Sequence, residues 1–311
     1  MPSSAPEDRL VTRDGIGLAV RDHGGDGPPL LLLHGAGRTL ADWAAVAPML
    51  TARHRVVAMD LRAHGRSESG PWTFPAVLDD VEAVLDAFAL PHALPVGHSL
   101  GGMVAALYAL HHPAAPAAVN LDGHGYGRPE QYAGLDRDHV ESRLAEVRRF
   151  AARAAGQELP AEAMDVLLAR QTSMAEDLGI PGTLFEAGLR RALAECEDGR
   201  RYLRPERAPA LQMLAAMDQL DLFGVYRRLT CPLLICRAAR PNPPTPGLPW
   251  FDALMAAYAT GLARDLARLA TTHPHVTVEE VDATHAMLLE RPDDVAALIL
   301  TFAARHTGAR R

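Results

Sequence analysis

Short, largely apolar runs recur along this chain. Leu30-Leu31-Leu32-Leu33, Val56-Val57-Ala58-Met59, Val119-Asn120-Leu121 and the stretch from Cys231 to Cys236 each stop at a polar or glycine-bearing turn. Runs this short, without helical spacing, predict strands buried on both faces, as in a parallel sheet. Between them the period changes. Residues 75–89 set Val77, Leu78, Val81, Val84, Leu85 and Phe88 on one stripe, which predicts a helix lying on the sheet. Val276 to Val281 alternates and reads as a further strand. Asp14-Gly15 between two short runs, over Leu10 to Arg21, predicts a β-hairpin. Strand and helix patterns alternate to about residue 122, which implies right-handed βαβ units and a mostly parallel sheet.

From Gly123 to about Arg228 the rhythm is different. No strand-like run is visible there, and the spacing predicts helices near 138–155, 160–177, 182–197 and 207–218. Pro160, Gly179-Ile180-Pro181 and Pro205 punctuate them. The strand pattern returns at Cys231–Cys236, a proline-rich loop follows over 237–250, and a helix near 251–270 leads into the last strand. The expected organisation is a core of 1–122 and 229–311 interrupted by a helical insertion, 123–228. Pro95 is a misfit, because proline removes a ladder donor from what reads as a central strand.

Chemistry concentrates at the ends of these strands. Gly97-His98-Ser99-Leu100-Gly101, followed by Gly102, sets one serine between glycines at the end of an apolar run. A serine hydroxyl must project from the backbone to reach a substrate, and a sharp strand-to-helix turn projects it if its neighbours lack Cβ atoms. His34-Gly35-Ala36-Gly37 follows the Leu30–Leu33 run and can turn backbone N–H groups towards a developing oxyanion. His285 sits just past the last strand, in Asp282-Ala283-Thr284-His285-Ala286-Met287. Nucleophile first and histidine last is the chain order of one particular catalytic arrangement.

Taken in order, the His34–Gly37 loop, Trp43 in the following helix, the Asp60–Ser67 turn, the Gly97–Gly102 elbow and the His285 segment with Glu290-Arg291-Pro292 resemble an α/β-hydrolase-fold enzyme over nearly the whole chain. The resemblance implies a mostly parallel central sheet with helices on both faces and a helical cap. It implies Ser99 as nucleophile and His285 as base. Backbone N–H groups of Ala36 and Leu100 would form the oxyanion hole. His98, His34 and His64 are then loop-shaping hydrogen-bonders.

The acid departs from the common pattern. In most relatives it follows the strand corresponding to Leu233–Cys236, but here that loop reads Arg237-Ala238-Ala239-Arg240-Pro241-Asn242 and holds no carboxylate before Asp252. A minority of the fold, including enzymes similar to zearalenone-type lactonases, carries its acid at the preceding strand end, where Asp122 lies. Asp122 is the first choice, with Asp252 and Asp282 as alternatives. His124, Tyr126 and Trp250 suit either a pocket wall or packing.

The expected activity is hydrolysis of a carboxylic ester or lactone of a small molecule through an acyl-enzyme. A thioesterase or carbon–carbon bond hydrolase would use the same groups, and a non-catalytic small-molecule receptor is the reading from another class. Composition narrows the partners. The net charge of −7 with no basic stripe argues against nucleic acid. All 31 basic residues are arginine, which fits a coding bias shared with the abundant alanine. No phosphate loop and no histidine or cysteine cluster with ligand spacing is visible, so neither a cofactor nor a metal is expected. Cys196, Cys231 and Cys236 have no framework spacing. With no signal-like start and no apolar stretch approaching the roughly 20 residues of a membrane span, a cytoplasmic protein is expected. Oligomeric state is open.

Overall fold

A computed structural model describes residues 7–307. Its strands are β1 (Asp8–Arg13), β2 (Ile16–Gly24), β3 (Pro29–Leu33), β4 (Arg55–Met59), β5 (Leu94–His98), β6 (Ala118–Leu121), β7 (Leu193–Glu195), β8 (Arg201–Leu203), β9 (Leu233–Ala238) and β10 (Val276–Val281). Its helices are α1 (Ala47–Leu50), α2 (Phe74–Ala87), α3 (Leu100–His111), α4 (Arg137–Ala154), α5 (Ala161–Asp177), α6 (Gly182–Ala192), α7 (Arg207–Gln219), α8 (Leu222–Arg228), α9 (Pro249–Thr272), α10 (Met287–Glu290) and α11 (Pro292–His306). Eight strands form one sheet in the order β1-β2-β4-β3-β5-β6-β9-β10. β2 runs antiparallel to both β1 and β4, and all other neighbours are parallel.

The leucine run explains why both faces are covered. Leu31 and Leu33 point into a core shared with α2, α3, α8 and α9, whereas Leu30 and Leu32 point into a second core with Trp43, α1 and α11. All four leucines are fully buried. Each contributes roughly 1.5–3 kcal/mol of transfer free energy, so a polar residue in either register would open one core.

Pro95 is accommodated by register. Ser99 donates its N–H across to Leu121 O, at 2.8 Å. Alternate residues of a parallel strand face the same neighbour, so Pro95 also faces β6. The β6 ladder begins only at Val96 opposite Val119, beyond the missing donor.

The segment 123–228 differs from its expected all-helical form. The helix expected over 182–197 stops at Ala192, and Leu193–Glu195 pairs with Arg201–Leu203 as an antiparallel hairpin. Its loop spans 196–200, closed by the Gly199 N–H to Cys196 O bond of 3.0 Å, and Gly199 at φ 81° takes the left-handed position that follows such a turn. The short helix α8 was likewise not anticipated. This segment touches the rest of the protein at loops that follow the strands. Arg191 of α6 donates from Nε to Asp60 Oδ2 at 2.8 Å, and Arg204 reaches Gly65 O at 3.1 Å. Ala175 and Ile180 pack on Leu289 of α10.

Candidate active site

Ser99 occupies the turn between β5 and α3 at φ 53°, ψ −118°, outside the regions an L-residue prefers. Such a conformation costs on the order of 1–3 kcal/mol and persists only where its surroundings enforce it. The glycines permit it. A Cβ on Gly97 would fall 1.9 Å from Gly101 O, and one on Gly101 would fall 2.2 Å from Leu33 O. The loop after β3 passes directly beside the serine, since a Cβ on Gly35 would lie 3.1 Å from Ser99 Cβ. Ala36 belongs to the turn closed by the Arg38 N–H to Gly35 O bond of 3.1 Å, and Leu100 opens α3 immediately after the serine. His34 ties this loop to the next one. One ring nitrogen bonds Gly35 O at 2.8 Å and the other accepts the Leu61 N–H at 2.9 Å.

His285 is held at three points. Its Nδ1 lies 2.7 Å from Asp122 Oδ2, its backbone N–H donates to Asn242 Oδ1 at 3.3 Å, and its carbonyl accepts from His98 Nε2 at 2.8 Å. The bond to Asp122 assigns the proton to Nδ1 and leaves Nε2 bare to accept one. No hydrogen bond joins Ser99 Oγ to the ring among the described residues; such contacts commonly tighten only once substrate is bound.

Asp122 follows β6 in the left-handed region, at φ 52°. Its N–H donates to Cys236 O at 2.7 Å, and its Oδ1 accepts the Ala238 N–H at 3.0 Å. Burial pushes its carboxyl up, but the His285 hydrogen bond and charge, His124 and the Ala238 N–H together outweigh this and hold it well below the usual range. It is ionised at neutral pH. The alternatives are elsewhere: both oxygens of Asp252 accept the Thr245 N–H, at 3.0 and 3.1 Å, and Asp282 is an exposed partner of Arg240 and Arg291.

Asn242 and His98 were not singled out as anchors of His285 by sequence, since each acts from a segment remote in the chain. His98 is buried, which drops its pKa to about 4, so its neutral ring donates one proton. His124 and Tyr126 line a cavity of about 700 Å³. Trp250 does not line it; its ring lies 4.8 Å from the Arg143 guanidinium. Among the described residues, no group of three or more histidine, cysteine, aspartate or glutamate side chains could hold a metal ion, and no helix is long and apolar enough to cross a membrane.

Known proteins share this fold. The chain is 32% identical over 210 residues to a pimeloyl-[acyl-carrier protein] methyl ester esterase of Aeromonas hydrophila subsp. hydrophila, covering 63% of this chain and 79% of that one. It is 34% identical over 129 residues to a 2-hydroxymuconate semialdehyde hydrolase of Pseudomonas sp. (strain CF600), covering 39% of this chain and 45% of the relative. The chain spans less than half the length of several curated relatives it matches, at 38%, 32% and 45%. Among solved structures, an E-2-(acetamidomethylene)succinate hydrolase superposes with a TM-score of 0.69 at 24% identity, over 96% of this chain and 99% of that one, which shows the fold. The alpha/beta hydrolase family model matches residues 30–298. A sheet of this order, a serine on a strained turn after β5 and a histidine after β10 therefore have a common explanation: the chain belongs to the alpha/beta hydrolase family and is an enzyme.

Proposed function

We propose that this hydrolase cleaves a carboxylic ester or lactone of a small organic molecule, with Ser99, His285 and Asp122 as its catalytic triad. The observation that carries the reading is the 2.7 Å bond between Asp122 Oδ2 and His285 Nδ1, with Ser99 half-buried on its turn next to the end of β6. Ser99 Oγ attacks the ester carbonyl while its proton passes to His285 Nε2. Asp122 keeps the imidazole in the required tautomer and stabilises the imidazolium. The backbone N–H groups of Ala36 and Leu100 receive the negative oxygen of the tetrahedral intermediate. Its collapse breaks the C–O bond, and the alkoxide takes the proton from Nε2 and leaves as an alcohol; in a lactone that alcohol stays on the acyl chain. Water, deprotonated by His285, then releases the acid and restores Ser99.

Residues 123–228 act as a cap over this site. Their attachment through Arg191 and Arg204 to the loops after β4, and through Ala175 and Ile180 to α10, supports the assignment. Substrate choice then resides in the cap. The methyl ester esterase among the relatives supports the ester reading, and the 2-hydroxymuconate semialdehyde hydrolase favours a second one, in which the same serine cleaves a carbon–carbon bond. A fluorophosphonate that labels wild-type protein but not Ser99→Ala tests the nucleophile. A panel of aryl esters, macrolactones and vinylogous diketones then separates the two bonds. Failure of the label on folded wild-type protein would remove the proposal.

A further inference from the structure

The 700 Å³ cavity is not the cleft at Ser99. Neither Ser99, His285 nor Asp122 lines it, and no residue of the His34–Arg38 loop does. It runs between α3, α4, α7, α8 and α9, with Met103, Leu211, Leu214, Phe223 and Leu269 in its wall. Sites of roughly 300–1,000 Å³ with such walls enclose small molecules, oriented by a few polar groups. Here the polar group is His124. Its side chain is 5% exposed, and neither ring nitrogen has a hydrogen-bond partner. Nε2 lies 3.9 Å from Asp122 Oδ1, too far for a bond. A buried polar group without a protein partner is costly, so a ligand atom that pairs with this ring is favoured there.

We propose that this cavity is a second small-molecule site, separate from the catalytic cleft, for an uncharged, largely apolar ring compound with one hydrogen-bonding group that pairs with His124. The charge preference follows from the surroundings. Burial holds His124 neutral, with its pKa lowered to about 4, so it presents one donor and one acceptor. A carboxylate at this inner end would also meet the Asp122 charge just behind the ring. The mouth offers little net charge. Arg148 pairs with Asp218 at 2.7 Å and Arg264 with Asp265 at 2.8 Å, and Arg128 is engaged by the carbonyls of Asp218 and Gln219. Arg227 lies 3.9 Å from Asp221, and Arg268 is exposed to solvent.

The test is a fluorescence titration of the whole chain with N-phenyl-1-naphthylamine, an uncharged probe bearing one N–H, before and after Ser99 is blocked by a fluorophosphonate. Saturable binding that is unchanged by the block is expected. His124→Phe should weaken it roughly three- to tenfold, the worth of one net hydrogen bond. Leu211→Trp and Ala152→Trp, which fill the cavity, should each weaken it more than about tenfold while circular dichroism stays native. If neither tryptophan variant folds, the His124→Phe titration decides. The anionic 1-anilinonaphthalene-8-sulfonate should bind less tightly than the neutral probe. The proposal is overturned by absence of saturable binding, by its loss on blocking Ser99, by wild-type affinity in the folded cavity-filling variants or in His124→Phe, or by tighter binding of the sulfonate. Because Ser99 labelling is read independently, the triad assignment stands or falls apart from this site.

Discussion

Asp122 Oδ2 stands 2.7 Å from His285 Nδ1 although their strands are not neighbours, because β9 runs between β6 and β10. The left-handed turn at Asp122 lets its carboxylate lean across the end of β9. There the Ala238 N–H donates to its second oxygen at 3.0 Å. The end of β9 thus supplies a backbone donor to the Asp122 carboxylate and carries no carboxylate of its own. Arg237, near the end of β9, pairs with Glu280, and Arg240, just beyond the strand, pairs with Glu290.

Replacing Asp122 by asparagine should keep the fold and the packing yet reverse the hydrogen-bond preference at Nδ1. Turnover should fall by up to about ten-thousand-fold, the loss such an exchange causes in serine triads. Asp252→Asn should leave turnover within a few-fold, because that carboxylate serves only the Thr245 N–H. Steady-state kinetics on one aryl ester compares the two, and a reversed ranking would remove Asp122 from the triad.

Ser99→Ala and His285→Ala should each lower kcat by roughly a million-fold, and the double variant should be scarcely worse than either, since nucleophile and base act as one unit. Losses that multiply would show that the two side chains work independently.

What could be read from the chain depended on how local the cause was. The Leu30–Leu33 run announces a strand buried on both faces because every position is apolar, whatever its partners are. The glycines around Ser99 announce the turn because each relieves a clash with atoms close in sequence or in an adjacent strand. The β7–β8 hairpin was not legible: its strands are three residues each and include Glu195 and Arg201, with no apolar alternation to register. Only Asp198-Gly199 signalled it. The clamp on His285 was hidden for another reason. His98 reaches the His285 carbonyl across 187 positions, and no spacing rule encodes that contact. The absence of a carboxylate after β9 pointed away from the usual position for the acid and made Asp122 the first choice over Asp252, whereas the 2.7 Å approach of Asp122 to His285 was not legible in any spacing.

Acid should destabilise this protein earlier than its carboxylates alone would. Burial lowers His23, His98 and His124 to about 4 and His64 to about 3. The unfolded chain protonates these groups near 6.5. It therefore binds more protons than the folded state between about 6.5 and 4, and stability falls as the pH drops through that window. Each histidine adds up to about 1.4 kcal/mol per pH unit. Asp122, held low, is lost from the balance only below the usual carboxylate range. Urea unfolding at pH 7.5, 6 and 5 measures the slope, and a flat profile would show that these rings are not kept neutral by burial.

The contact between α6 and the loop after β4 should matter more for stability than its single arginine suggests. Arg191 bridges Asp60, which is fully buried, and Asp8, which is held below its usual pKa despite burial, chiefly by Arg191. Arg191→Leu leaves Asp60 with only the Leu40 and Arg66 N–H groups, at 2.8 Å each. Removing one partner of a buried pair costs about 3 kcal/mol, so the melting temperature should fall by roughly 5 °C. An unchanged melt would mean that solvent already reaches Asp60.

His98 should prove to be a positioning residue for the base. It immediately precedes the nucleophile, and its Nε2–H holds the His285 carbonyl at 2.8 Å while the two rings lie 4.8 Å apart. His98→Phe preserves the ring volume at the end of β5 but deletes the donor. The base then gains freedom along the direction in which it must meet Ser99 Oγ, and small misplacements of catalytic groups can cost on the order of a hundredfold. The expected signature is a kcat reduced by roughly ten- to a hundredfold at nearly constant KM, because the transition-state geometry suffers and ground-state binding does not. His98→Gln, whose amide can donate to the same carbonyl, should recover much of the loss. A merely structural role would instead lower stability in both variants and move kcat and KM together, or leave kcat untouched in His98→Phe.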